Sequence, residues 1–432
     1  MEKLFLGKGV EISTDSLQTG LNNNIIVVGP SGSGKTMSYA EMCLLHTNTS
    51  SMIVTLSKRR LAVKYMDVLA AKGYRVFDLN LVEPLKSTVA FDPLHYVHSQ
   101  TDITFLARSI VMANPKKATT IVADPFWDDA AMSLLSALIA YIFHTKTKPA
   151  WSGVMALFSQ LKVEEKGDSI TTSLDTVFDR ISRDPAAGFA WQCWKTFRYA
   201  PMRTAGSIYS TLSVTLDTMF TPELMQSMKN NPQMEITGLG CERSILFLTT
   251  SAVNPALNAY AGLFYATAVK ELFEFAEDLP SGRLAVPVHL LCDDFAVGAQ
   301  IPSFAYYISV FREKGISTSI LLQSESQLTA MYGSADATTI INNCDRYIYL
   351  GGSDLVTCRN MAERVGRPLS DILYLPLGDE IVLQRGSRPV FTKRYAILED
   401  DAYANLTNQT NQTNQTNGGC AAEQESGLMR NA

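Results

Sequence analysis

The tightest constraint on the fold is local. Four apolar residues, Ile25–Val28, run directly into Gly29-Pro30-Ser31-Gly32-Ser33-Gly34-Lys35-Thr36, and a helix-length stretch, Met37–His46, follows. The octapeptide satisfies G-x4-G-K-[ST], and a strand before it with a helix after it is the context in which that spacing means a phosphate-binding loop. Glycines let backbone N–H groups close on phosphate oxygens, and the helix N-terminus adds positive potential. In such a loop Lys35 is expected to reach the β- and γ-phosphates of ATP, and the Thr36 hydroxyl to ligate Mg2+. The chain is therefore expected to hold a nucleotide.

The remaining apolar runs extend that unit into a sheet. Met52–Thr55, Arg75–Leu79, Ser244–Thr249, Val288–Cys292, Thr318–Leu322, Arg346–Leu350 and Ile381–Leu383 are short, rich in β-branched residues, and rarely alternate. Continuous apolar strands imply burial on both faces, hence a mainly parallel α/β sheet. Helix-length stretches such as Arg60–Lys72 supply the crossovers that parallel pairing needs. From about Thr101 to Asn231 the pattern changes to helical periodicity (Leu134, Leu135, Leu138, Ile142; Val177, Ile181; Leu212, Leu216, Met219) with no convincing strand. At 432 residues the chain has room for two or three domains. The expected division is a nucleotide-binding domain over 1–107 and 233–400, and an all-α domain over 108–232 that ends in the turn chemistry of Asn230-Asn231-Pro232. A disordered Asn/Gln/Thr-rich tail is expected over 401–432, where NLTNQTNQTNQTN starts at Asn405.

A phosphate loop needs an acidic partner on a neighbouring strand. Val288–Cys292 ends in Asp293-Asp294, so Asp293 is expected to hold the magnesium through water and Asp294 to orient or deprotonate the attacking water. The plainer reading, two solvated loop acids, fits less well, because the apolar run aims both at the ligand edge of the sheet. Gln323 ends another strand and is placed to sense a γ-phosphate. Arg312, in Phe311-Arg312-Glu313-Lys314-Gly315, stands just before that strand and would serve a neighbouring subunit as an arginine finger; a purely structural surface arginine and strand-end glutamine are the plainer alternatives for the two.

Other features narrow the chemistry. A net charge of −5 excludes whole-surface affinity for nucleic acid, so any basic site is a local patch. Lys58, Arg59, Arg60 and Lys64 form one such cluster, with a solvated helix start as the alternative. Seven cysteines, odd in number and widely spaced, fit a reduced cytosolic compartment without structural zinc. His95 and His98 form an H-x2-H without a third ligand nearby, and His289 reads as a hydrogen-bonded core residue. No signal peptide opens the chain, and the longest apolar run, Ala130–His144, falls short of the ~20 residues of a spanning helix and reads as buried.

The order of motifs resembles the conjugative coupling proteins, the TraG-type ATPases of type IV secretion, from about Leu6 to Leu398. Its markers are Gly7-Lys8-Gly9, Asn22-Asn23-Asn24, the phosphate loop, Asp124-Pro125-Phe126-Trp127, Asp294-Phe295-Ala296, Ile301-Pro302, Leu322-Gln323-Ser324-Glu325-Ser326-Gln327-Leu328, Asn343-Cys344-Asp345 and Leu350-Gly351-Gly352. The resemblance implies a RecA-like P-loop motor with an all-α domain. It would be a homohexamer around a channel when active and a monomer in isolation. It would recruit relaxase-bound single-stranded DNA, or effector proteins, to membrane-bound secretion channel components at the cytoplasmic face. The roles it implies for Lys35, Thr36, Asp293, Gln323 and Arg312 agree with those above. Three departures stand out. Asp293-Asp294 replaces the usual Asp-Glu, which sets the second carboxylate back by a methylene and implies slower hydrolysis. Thr55-Leu56-Ser57-Lys58-Arg59 replaces the usual Thr-Asp-Pro-Lys-Gly. The usual N-terminal membrane helices do not occur, which implies either a soluble part or a variant tethered by a partner. Two rival readings are a non-hydrolysing adaptor and a DNA-pump or channel-assembly ATPase.

Overall fold

The computed structural model describes residues 3–57, 59–113, 125–166, 169–251, 254–295 and 300–406. Its strands are β1 (Lys3–Gly7), β2 (Val10–Ser13), β3 (Ile25–Val28), β4 (Ser51–Leu56), β5 (Arg75–Asn80), β6 (Val163–Lys166), β7 (Ser169–Thr172), β8 (Ser244–Thr249), β9 (Val288–Cys292), β10 (Ile316–Leu322), β11 (Arg346–Tyr349), β12 (Asp379–Gln384) and β13 (Val390–Lys393). Nine of them form one sheet in the order β13-β12-β11-β3-β10-β9-β4-β8-β5. From β11 to β5 every pair is parallel, and β12 and β13 close one edge as an antiparallel hairpin.

The uninterrupted apolar runs are explained by burial on both faces. Ile26 and Val28 point into one apolar layer, with Ile53, Leu290 and Leu322; Ile25 and Val27 point into the other, with Val54, Leu291 and Leu321. The second layer is covered by the helices Glu41–His46 and Arg59–Ala71 and by Leu6 of β1. The first continues without interruption into the helices between β5 and β8. There Phe178 stacks on Trp194 at 4.1 Å between ring centroids, and Trp151 on Phe220 at 4.4 Å. The helix Pro125–Thr145 is long and apolar enough to span a bilayer by length and composition, yet Ala131, Leu134, Leu135, Leu138 and Ile139 are buried in this core.

Three expectations change. The acidic strand β9 does not neighbour β3: β10 lies between them and pairs with both. Motif order along the chain carries no information on spatial strand order, so sequence could not separate the two arrangements. The helical region is not wholly helical, since β6 and β7 form an antiparallel hairpin. Its strands, VEEK and SITT, are short and polar and give no periodic signal. Finally, residues 401–406 are helical and Leu406 is buried in the second layer, so these six residues belong to the folded part. The remainder of the expected tail lies outside the described residues.

The edge of the sheet where the parallel strands begin is locked by polar side chains. Asn22 donates its backbone N–H to Asp345 Oδ2 at 2.6 Å, and both Asn22 Nδ2 and Asn24 Nδ2 donate to the Asn343 carbonyl. Asn24 Oδ1 accepts from the Thr318 N–H that starts the inner part of β10, and Arg346 Nη1 donates to the Asn22 carbonyl at 2.8 Å. His289 on β9 is held between Ser317 Oγ and Ser319 Oγ, each at 2.8 Å, as a core residue. These bonds fix where β3 starts, and so where it ends four residues later.

Candidate functional site

At the opposite edge β3 ends in the phosphate loop. Gly29 donates its N–H to the Leu322 carbonyl of β10, which ties the start of the loop to the neighbouring strand. Gly29 is required by close approach: a Cβ there would fall 2.6 Å from Ser33 Oγ and 2.8 Å from Leu350 Cβ. Gly34 has a φ of 92°, in the region that favours glycine. From Thr36 the chain enters a wide π-helical turn, Thr36–Ala40, which continues as the α-helix Glu41–His46. Such turns are uncommon and concentrate at functional sites.

The loop's side chains converge. Lys35 is buried, and its Nζ donates to the Gly29 and Pro30 carbonyls at 2.6 and 3.1 Å, which holds the ammonium at the mouth of the loop. Thr36 Oγ1 donates to Asp293 Oδ2 at 3.0 Å across the width of β10. Burial, and after it the neighbouring Asp294, hold the Asp293 carboxyl above the usual carboxylate range; the Thr36 bond and the Lys35 charge pull it back. Among the described residues, Asp293 Oδ1 is buried without a hydrogen-bond partner, as is Ser33 Oγ. Buried polar atoms are normally paired, so two orphans beside a threonine–aspartate contact fit a site that a metal-bound phosphate would complete. The donor set, a hydroxyl and a carboxylate, is the oxygen chemistry that magnesium takes.

Asp294 adopts a φ of 50°, a left-handed conformation that aspartate tolerates better than most residues, and its Oδ2 accepts from Ser57 Oγ at 3.4 Å. Gln323 follows β10 directly, one residue past the carbonyl that binds Gly29, and its N–H is held by Gln327 Oε1 at 3.3 Å. Lys35, Thr36, Asp293, Asp294 and Gln323 thus share one edge. Arg312 does not join them. It lies near the end of the helix Phe304–Lys314, at the edge where the strands begin, with Nη2 donating to the Ser16 carbonyl at 3.1 Å. Arg312 lines a cavity of about 280 Å3 there, together with Asn23, Ser317 and His289.

Two members of the basic cluster are spent internally: Arg59 forms a two-pronged ion pair with the buried Asp78, and Lys64 bonds Glu41 at 2.6 Å, while Arg60 is exposed. Lys58 lies outside the described residues, as do Asp124 and Ala296 of the motif set. Leu56, at a position where an acid is usual, is buried in the apolar core. Among the described residues no group of three or more metal-ligating side chains forms, which leaves His95 and His98 without further ligands. Two residues close to the loop carried no sequence expectation. Ser57 reaches Asp294, and Arg394, at the end of β13, covers Gly34: a Cβ on that glycine would lie 3.5 Å from Arg394 Nη1. Ser57 stands in the stretch that replaces the family's Thr-Asp-Pro-Lys-Gly, but its partner is set by the fold, and Arg394 belongs to no local motif.

The nine-stranded sheet and the phosphate loop define a P-loop nucleotide-binding protein of the RecA-like α/β class. A family model described as type IV secretory system conjugative DNA transfer matches residues 4–368, and the chain belongs to that family. The bacterial conjugative coupling protein TrwBdeltaN70, in a trigonal form with sulphate, aligns with a TM-score of 0.68 at 17% identity, over 91% of this chain and 89% of that one. TrwB in complex with the ATP analogue ADPNP aligns with a TM-score of 0.65 at 17% identity over the same shares. VirB4 of Thermoanaerobacter pseudethanolicus aligns with a TM-score of 0.57 at 12% identity, over 91% of this chain and 96% of that one. No curated protein sequence matches the chain.

Proposed function

We propose that this protein is the coupling ATPase of a conjugation system, recruiting relaxase-bound single-stranded DNA to a membrane-bound secretion channel and using ATP to support its transfer. The observation that carries this reading is the Lys35–Thr36–Asp293 constellation inside a chain matched to the conjugative DNA transfer family over 365 residues, 4–368. TrwB, which shares the fold, has been captured with ADPNP and with ADP and Mg2+.

Bound Mg2+–ATP would supply a phosphoanhydride polarised for attack by water. Gly29, Pro30, Ser31, Gly32, Ser33 and Gly34 cradle the phosphates through backbone N–H groups. Lys35 turns from the loop carbonyls to the β- and γ-phosphates. Thr36 and Asp293 would hold the metal, Asp294 would orient water, and Gln323 would read the γ-phosphate. Arg312 acts only in trans: its own loop lies across the sheet, so it completes a neighbour's site in a homohexamer. The segment 108–232 forms the α-domain that meets relaxase or effector proteins, and residues 1–107 with 233–400 form the motor. The assembly works at the cytoplasmic face of the membrane.

A second reading, a weakly hydrolysing adaptor, draws on Asp294 and Leu56. The shorter carboxylate stands back from the water, and the nearby acid usual to this family is replaced by a core leucine. Turnover of ATP by wild type, Lys35→Ala and Asp294→Glu, with and without single-stranded DNA, separates the two. The coupling reading expects DNA-stimulated hydrolysis that Lys35→Ala abolishes. Nucleotide binding without turnover, by protein verified as hexameric, would favour the adaptor.

A further inference from the structure

Arg394 enters the site from the far end of the chain. After β12 the backbone returns antiparallel as β13, and the Arg394 N–H donates to the Gly378 carbonyl at 2.9 Å, which pins the residue beyond the hairpin. Its Nη2 donates to the Leu350 carbonyl at 3.1 Å, and Leu350 in turn donates its N–H to Val28, the last residue before the loop. The guanidinium therefore lies at the point where β11 and β3 release the phosphate loop, against Gly34.

The group is costly to place there. Arginine carries five N–H donors, and among the described residues Arg394 has one acceptor, the Leu350 carbonyl; its Nε is buried with no partner among them. Among the described residues no carboxylate lies within ion-pair distance. Glu380, its nearest acidic influence, is itself buried, and its Oε1 is unpaired. Burial holds the Arg394 pKa below its ordinary value, in the direction that an anionic ligand would reverse. A half-buried guanidinium whose Nε is buried and unpaired among the described residues, set over a loop whose backbone is shaped for phosphate, fits an anion geometrically and electrostatically.

We propose that Arg394 is a second phosphate-binding cation of this site, supplied in cis by the returning β12–β13 hairpin. It would flank the nucleotide phosphates on the β11 side of β3, opposite Asp293 on the β9 side. This rests on the reading that the loop holds a nucleotide. The contact is to phosphate and not to the base, so it is indifferent to the purine.

The test is equilibrium binding of Mg2+–ATP and Mg2+–GTP to the full chain, by displacement of a fluorescent nucleotide, for wild type, Lys35→Ala, Arg394→Ala, Arg394→Gln and Arg394→Lys. Thermal unfolding of each without nucleotide runs alongside. The expected result is about a tenfold loss of affinity in Arg394→Ala and Arg394→Gln, equal for both nucleotides, with partial recovery in Arg394→Lys. Arg394→Gln retains a donor for the Leu350 carbonyl, so it separates ligand binding from the structural bond. Arg394 variants within twofold of wild type, while Lys35→Ala loses binding, would overturn the proposal and leave the nucleotide reading intact. A loss confined to one purine, or one that only tracks a fall in melting temperature, would also overturn it. Failure of wild type to bind either nucleotide would overturn both.

Discussion

The two ends of β3 are built on opposite principles. Where the strand begins, Asn22, Asn24, Asn343, Asp345 and Arg346 bond to one another and to backbone groups. Where it ends, Ser33, Asp293 and Arg394 each keep a buried polar atom without a partner among the described residues, and Asp294 sits at a φ of 50°. Both ends carry residues of the family signature, so resemblance alone does not sort them. Hydrogen-bond satisfaction does: the knitted end stabilises the sheet, and the unsatisfied end is shaped for something the chain does not itself provide.

Substitutions at the two ends should therefore fail in different ways. The largest effect is expected from Lys35→Ala. It should weaken Mg2+–ATP binding by about a hundredfold or more, read by nucleotide displacement, while melting without nucleotide changes little. At the other end, Asn24→Ala strands the Thr318 N–H and leaves the Asn343 carbonyl with Asn22 Nδ2 as its side-chain donor. It should cost about 3 kcal/mol in urea unfolding and leave the nucleotide affinity of the folded protein intact. Loss of affinity without loss of stability in Asn24→Ala would erase the distinction.

Glu380 sharpens the comparison through pH. Burial pushes its carboxyl from 4.5 up to about 8, with Arg394 pulling the other way. An acid whose folded pKa is raised contributes its full stability below the unfolded value and loses it as pH rises toward the folded one. Glu380→Gln cannot ionise. Relative to wild type it should gain stability progressively between about pH 4.5 and 8, up to at most about 5 kcal/mol above pH 8, measured by urea midpoints at pH 5 and 9. A gain of equal size at both pH values would show that ionisation is not the cause. The smallest effect is expected from Ser57→Ala. At 3.4 Å its bond to Asp294 is long, so stability should move by less than about 0.5 kcal/mol in the same unfolding assay.

The sheet and the loop were legible because their signals are local. The run Ile25–Val28 is β3 residue for residue, Ser244–Thr249 is β8 and Val288–Cys292 is β9, each apolar on both faces as burial between two layers demands. The phosphate loop announced itself by glycine spacing, and Asp293 by its position after a buried strand. What escaped was either marginal or long-range. Strand β1 is half exposed, and β6 and β7 are polar, so neither shows a period that stands out from a loop. The place of β10 between β3 and β9 is a property of the whole sheet. Arg394 looks in sequence like one member of a basic pair, Lys393-Arg394, and gains its meaning from a hairpin that brings it some 360 residues back to Gly34. Arg312 shows the converse: a motif-like setting before β10 that the fold puts at the other edge.

The most direct test compares thermal unfolding of wild type, Lys35→Ala and Asn24→Ala, each with and without Mg2+–ATP. If one end of β3 is scaffold and the other is ligand site, Asn24→Ala should melt lower than wild type yet keep the full nucleotide-induced upward shift. Lys35→Ala should melt like wild type and show no shift. A Lys35→Ala protein still stabilised by Mg2+–ATP would contradict the placement of the nucleotide at Gly29–Thr36.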